Sequence, residues 1–282
     1  MRAILPQLTL MFLVGVAAWK FDGQALGGRA AGSLAIVGVT LAVFLAFRNN
    51  VSYSRYWEAR QLWGELTIAS RSLLSQVICY LPGEAHRADR DFVLRHLIAL
   101  AHALKRQLRF EDASSDLPAL TAEENADVRK KEHKAIAILH STRRSLGALR
   151  LQGTAYVELS WMLDDSIVRL GAVIGGCERI AATPIPFAYA VLMRRTVFVY
   201  CALLPFGLVE MLRGLTPFVS VFVAYTLLAL EEISNEIADP FGTSPNDLAL
   251  ESYCRNIERT LLELLDRPVP EALVADVNHV LR

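Results

Sequence analysis

The chain has 282 residues, 53% of them apolar, and its 29 Lys and Arg are balanced by 29 Asp and Glu. A formal charge of zero excludes a whole-chain electrostatic attraction to nucleic acid. The apolar share exceeds that of an ordinary soluble domain, and the excess sits in four uncharged runs: 3–19, 30–47, 180–209 (broken only by Arg194-Arg195) and 214–230. A hydrocarbon core needs about 20 helical residues, with a range of about 17–25. The runs fit that length, the third provided its arginines sit at a membrane edge or in a protein interior. Four such runs in one chain are too many for the buried helices of a soluble bundle.

The first run resembles a signal sequence in position, but Lys20 and Asp22 follow it where small residues should mark a cleavage site. It reads as a span, joined to the second by the turn "KFDGQALGGR". The second run, "AAGSLAIVGVTLAVFLAF", carries two stripes at about 100° per residue. Ala31, Ala35, Gly38, Ala42 and Ala46 form a small-residue face suited to close helix packing. Val39, Val43 and Phe47 step beside it at four-residue intervals. They are either ordinary lipid-facing or core residues, or the wall of a pore whose apolar ring gates by dewetting.

"FRNNVSYSRYWEARQLWGEL", residues 47–66, continues the helix with arginines and aromatics together. Arg48 and Arg55 suit anchors at the membrane edge, with Tyr53, Tyr56, Trp57 and Trp63 at or below it.

Residues 48–179 hold most of the charge and no convincing alternating strand. Leu97, Leu100, Leu104 and Leu108 share one side of a helix. "EDASSDLP" is a loop, and "TAEE" at Thr121–Glu124 has the form of a capping box, which predicts a helix start. Residues 151–180 read as one long helix. The third and fourth runs are joined by the turn "EMLR".

Two hairpins place both termini and the polar middle on one side. Arg2, Arg48, Arg55, Arg60, Arg179, Arg194 and Arg195 flank the spans there, against Lys20, Arg29 and Arg213 opposite, so that side is cytoplasmic. The predicted architecture is all-α, an integral membrane protein of the inner (plasma) membrane. Its parts are a first hairpin (1–60), a cytoplasmic helical domain (61–185), a second hairpin (186–242) and a cytoplasmic C-terminal segment (243–282). Cys79, Cys177, Cys201 and Cys254 form no paired motif and read as reduced packing residues. The histidines show no ligand spacing.

Residues 47–66 and "EEISNEIADPFGTSPNDL" (231–248) resemble two signatures of the bestrophins, in the form found in bacterial members. The resemblance covers essentially the whole chain. It implies a homopentameric ion channel with four membrane helices per subunit and a cytoplasmic helical region around one axial pore. Counting back from Arg55-Tyr56-Trp57, the family's apolar neck falls on Val39, Val43 and Phe47, the stripe already found by spacing. Valines at the first two places predict a wider or less apolar neck than in most members. A second, cytoplasmic aperture falls near Val157.

The turn that in animal members begins a calcium clasp keeps Asp239 and Asp247 here, but Ser244, Pro245 and Asn246 replace most of its acids. Calcium takes six to eight oxygens, several from carboxylates, so no cofactor is expected and calcium dependence least of all. The expected partners are further copies of the chain, the bilayer and monovalent ions, with no nucleic acid. Resemblance to the bacterial branch leans toward cations, with chloride as the other reading. An enzyme is disfavoured, since adjacent Asp164 and Asp165 point about 100° apart and no phosphate loop, nucleophile elbow or HExxH occurs. A membrane-anchored helical adaptor without conduction is the remaining alternative.

Overall fold

The computed structural model describes residues 4–21, 30–111, 117–151 and 157–275. The described residues form α1 (Leu5–Lys20), α2 (Ala30–Tyr80), α3 (Arg87–Leu108), α4 (Ala122–Arg129), α5 (Lys134–Leu151), α6 (Val157–Ala182), α7 (Phe187–Leu212), α8 (Thr216–Ala238) and α9 (Leu250–Glu263), and no strand. The architecture is all-α, as expected. The helices divide between two compact units. One holds α1, α2 as far as Tyr56, α7 and α8; the other holds α2 from Trp57, α3 to α6 and α9. Residues 22–29 of the turn expected at 20–29 and the centre of the loop expected at 111–118 lie outside the described residues.

The first unit is built around an apolar cluster of Met11 from α1, Leu41 and Leu45 from α2, Val197 and Cys201 from α7, and Ala224 and Leu228 from α8. Gly15 is required where α1 meets α8: a Cβ there would fall 2.8 Å from the Pro217 Cα, a backbone atom that cannot swing aside. The third apolar run, 180–209, is shared between two helices: Ile180–Ala182 finish α6, and α7 starts at Phe187. Pro184 and Pro186 separate the two helices, since proline disfavours helix both at its own position and just before it. The α7–α8 turn is not "EMLR", because α7 keeps Glu210–Leu212. The chain reverses at Arg213, whose φ of 44° is left-handed, through a short 3-10 segment to Leu215.

In the second unit α3 is central, with Leu97, Leu100, Leu104 and Leu108 all buried. The capping box forms as expected: Thr121 N donates to Glu124 Oε2 at 2.8 Å, and Glu124 N to Thr121 Oγ1 at 3.3 Å. Buried Asn125 secures the preceding segment, accepting from Leu117 N at 2.8 Å and donating to the Leu117 and Leu120 carbonyls. Of the helix expected over 151–180, residues 157–180 lie in α6, Leu151 belongs to α5, and 152–156 lie outside the described residues. Trp63, fully buried, meets Tyr253 of α9 with ring centroids 5.8 Å apart.

Three cysteines pack as expected, but Cys79 is exposed near the end of α2 and is no packing residue. Burial pushes the Cys177 thiol up to about 12, with nearby Glu178 and Glu58 acting in the same direction. Burial also pushes the Cys254 thiol up to about 12. Because the thiolate is the nucleophile, a water-soluble thiol reagent at mildly alkaline pH should label one cysteine per folded chain. Cys79→Ser should abolish that labelling, and a count above one in the folded protein would contradict the packing described.

Candidate functional site

Within the first unit, α2 has one inward stripe. Leu41 and Leu45 are 3% and 7% exposed, Arg48 is 3% exposed and Ser52 is fully buried. At about 100° per residue these four positions span only about 60° of the helix. The stripe of Val39, Val43 and Phe47 is centred about 180° away by the same count. Its residues are 68%, 49% and 63% exposed. The neck candidates thus have the whole helix between them and the chain's own core.

Among the described residues of the small-residue face, Gly38 packs within the chain. At Gly38 the Tyr200 ring of α7 closes in, so that a Cβ would fall 3.1 Å from its Cζ and nearer still to its hydroxyl. Ala35, Ala42 and Ala46 lie exposed, and the side chain of Ala31 is outside the described residues. Ala35, Ala42 and Ala46 are open to packing beyond the chain.

Arg48 corrects the sequence reading most. It is no membrane-edge anchor: its Nη1 lies 3.3 Å from Glu231 Oε1 and its Nη2 bonds Asn235 Oδ1, with Arg48 and Glu231 side chains both almost fully enclosed. A guanidinium enters the interior here because α8 supplies both a carboxylate and an amide oxygen in fork geometry. Asn235 Nδ2 also donates to Glu231 Oε1 at 3.3 Å. One turn along, Ser234 Oγ donates to Ser52 Oγ at 3.0 Å. Next, Arg55 Nε donates to the Ala238 carbonyl at 3.1 Å, closing the α8 end within its own chain. Sequence reasoning assigned no role to Glu231 or Asn235. The one available signal was Glu231 and Asn235 sharing a helix face four residues apart.

The aromatic residues after Phe47 divide. Tyr53 and Trp57 are exposed, and Arg60 stacks over the Trp57 ring at 5.5 Å. Val157 opens α6, but its side chain is outside the described residues.

Asp239 ends α8 as its C-cap. Asp247 Oδ2 accepts from Ser244 N at 2.6 Å, an Asp closing its own turn. Arg109 Nε donates to the Phe241 carbonyl at 3.3 Å, so a cation already occupies that oxygen. No group of three or more His, Cys, Asp or Glu side chains converges among the described residues. Burial holds His102 down to about 4, which leaves it neutral near pH 7. Asp164 pairs with Arg143 at 2.5 Å and Asp165 with Arg169 at 3.0 Å, so the two carboxylates serve separate ion pairs.

The family described as bacterial/fungal bestrophin protein matches residues 1–263. An Escherichia coli (strain K12) protein named voltage-dependent anion channel-forming protein YneE is 43% identical over 248 residues, 87% of this chain and 81% of its own. The voltage-dependent anion channel-forming protein RSc3414 of Ralstonia nicotianae is 41% identical over 271 residues, 94% of this chain and 88% of its own. A crystal structure of a bacterial bestrophin homologue from Klebsiella pneumoniae matches with a TM-score of 0.87 at 38% identity, covering 94% of this chain and 99% of that one. The two signature segments, the helical architecture and these likenesses agree: the chain belongs to the bacterial and fungal bestrophin family.

Proposed function

We propose that the protein is an inner-membrane ion channel, a homopentamer whose α2 helices line one axial pore. The observation that carries this reading is the exposed stripe of Val39, Val43 and Phe47, set opposite the buried face of α2. An apolar row that a chain leaves uncovered, flanked by small residues, suits a ring of copies around an axis. Four membrane helices follow: α1, the first part of α2, α7 and α8, with both termini cytoplasmic. Val157, at the start of α6, takes the place of the cytoplasmic aperture. The protein is not an enzyme.

The neck holds no charge, so the sign of the ion is set elsewhere along the path. The names of the relatives speak for anions and against the cation preference expected from the bacterial branch. Planar-bilayer recordings in asymmetric NaCl should therefore reverse near the chloride equilibrium potential. Reversal near that of sodium would restore the cation reading, and a purified mass without conduction would favour the adaptor.

Calcium plays no part in this reading. The acid-poor turn, with Asp247 Oδ2 closing its own backbone and the Arg109 guanidinium at the Phe241 carbonyl, supports that reading, since calcium takes six to eight oxygens. Currents in chelator and in micromolar Ca²⁺ should match. A reversible loss of current on chelation would reject this.

A further inference from the structure

We infer that Arg48, with Glu231 and Asn235, is a positioning cluster: it fixes the rotation of α2 and so holds Val39, Val43 and Phe47 toward the pore. This inference rests on the proposed channel. Its basis is a ladder of three polar rungs between α2 and α8, Arg48 with Glu231 and Asn235, Ser52 with Ser234, and Arg55 with the Ala238 carbonyl. Numbers rise together on both helices, so the rungs join parallel helices in one register.

The apolar contacts of α2 are not directional, because Leu41 and Leu45 pack in a cluster with Val197, Cys201, Ala224 and Leu228 without any hydrogen-bond geometry to satisfy. The polar rungs are. Turning α2 by one residue, about 100°, would withdraw the Arg48 fork from both of its acceptors. That would leave an ion buried without partners, among the more destabilising changes a core can suffer. Phe47 is the residue next to Arg48, so the same turn would carry it out of the neck.

Stability alone does not account for the cluster. Arg48 Nε is buried without a hydrogen-bond partner, so the network is not fully satisfied. Well-packed apolar residues in place of a buried ion pair are often neutral or stabilising. What they lack is directionality, and directionality is what a gate lining needs.

The test uses Val43→Cys and Leu45→Cys in a Cys79→Ser background. Each is read by the rate at which a water-soluble methanethiosulfonate reagent changes the current. With Arg48 and Glu231 intact, Val43→Cys should react and Leu45→Cys should not. Combining each with Arg48→Met and Glu231→Leu fills the space and leaves no buried charge. Reaction at Val43→Cys should then slow roughly tenfold, as when the neck-facing setting falls to about a tenth of the population. Leu45→Cys should become reactive, with oligomer mass and helix content retained.

Unchanged rates at both positions in an assembled double replacement would overturn the inference and make the cluster packing only. If that protein does not assemble, Arg48→Lys serves: it keeps the charge beside Glu231 but loses the fork to Asn235, and should give the same shift in a smaller degree. Unchanged rates there overturn the inference equally. No current change at Val43→Cys with the cluster intact would instead overturn the channel reading, before the cluster is touched.

Discussion

Phe47→Ala should raise the current severalfold, through conductance or open probability, and leave the reversal potential nearly where it was. Valine and phenylalanine side chains offer no charge or carbonyl to replace an ion's water, so a ring of them hinders passage by keeping the neck dry. Phe47 is the largest of the three and the nearest to the polar continuation of the helix. At 63% exposure it has little of its own chain to lean on. Removing its ring from each copy therefore widens the constriction without opening a cavity in the subunit core. The fold should be unaffected, as thermal melting in detergent would register. Val43→Ala should act in the same direction but less, because less area is removed. An unchanged current after Phe47→Ala, or a reversed ion preference, would take these residues out of the gate.

Trp63→Ala should destabilise the second unit by about 3–5 kcal/mol, the usual range for losing a buried large aromatic. Trp63 is fully enclosed, lies four turns beyond Phe47 on the same helix and meets Tyr253 of α9. Its indole Nε1 has no hydrogen-bond partner, so the loss is one of volume and contact. Trp63→Phe should therefore recover a large part of the deficit. Denaturant unfolding in detergent, with limited proteolysis to locate the change, distinguishes the two variants. Equal losses for Ala and Phe would mean that the indole nitrogen matters after all.

Much of this protein is determined locally and could be read without coordinates. Run lengths mark the apolar helices because a bilayer sets a length and an uncharged stretch meets it. The capping box at Thr121 and Glu124 was legible because both partners lie within one helical turn. The neck candidates share a stripe through backbone geometry alone, and the two signature segments pointed to the family. Even the exposure of Phe47 has a local component, since its face follows from the pitch of α2.

The tertiary structure decided which face of α2 is inside. Arg48 looked like a membrane-edge anchor because the nearest sequence neighbours of an arginine after an apolar run suggest nothing else. Its partner Glu231 lies 183 residues away, and no periodicity within either segment joins them. The same holds for Ser52 with Ser234 and for Arg55 with the Ala238 carbonyl. Cys79 differs from its three buried counterparts only through what packs, or fails to pack, against the end of α2. Propensity and periodicity act over a few residues, whereas burial and ion pairing depend on groups that meet only after the chain has folded. The helices were therefore written in the sequence, and the buried polar ladder between α2 and α8 was not.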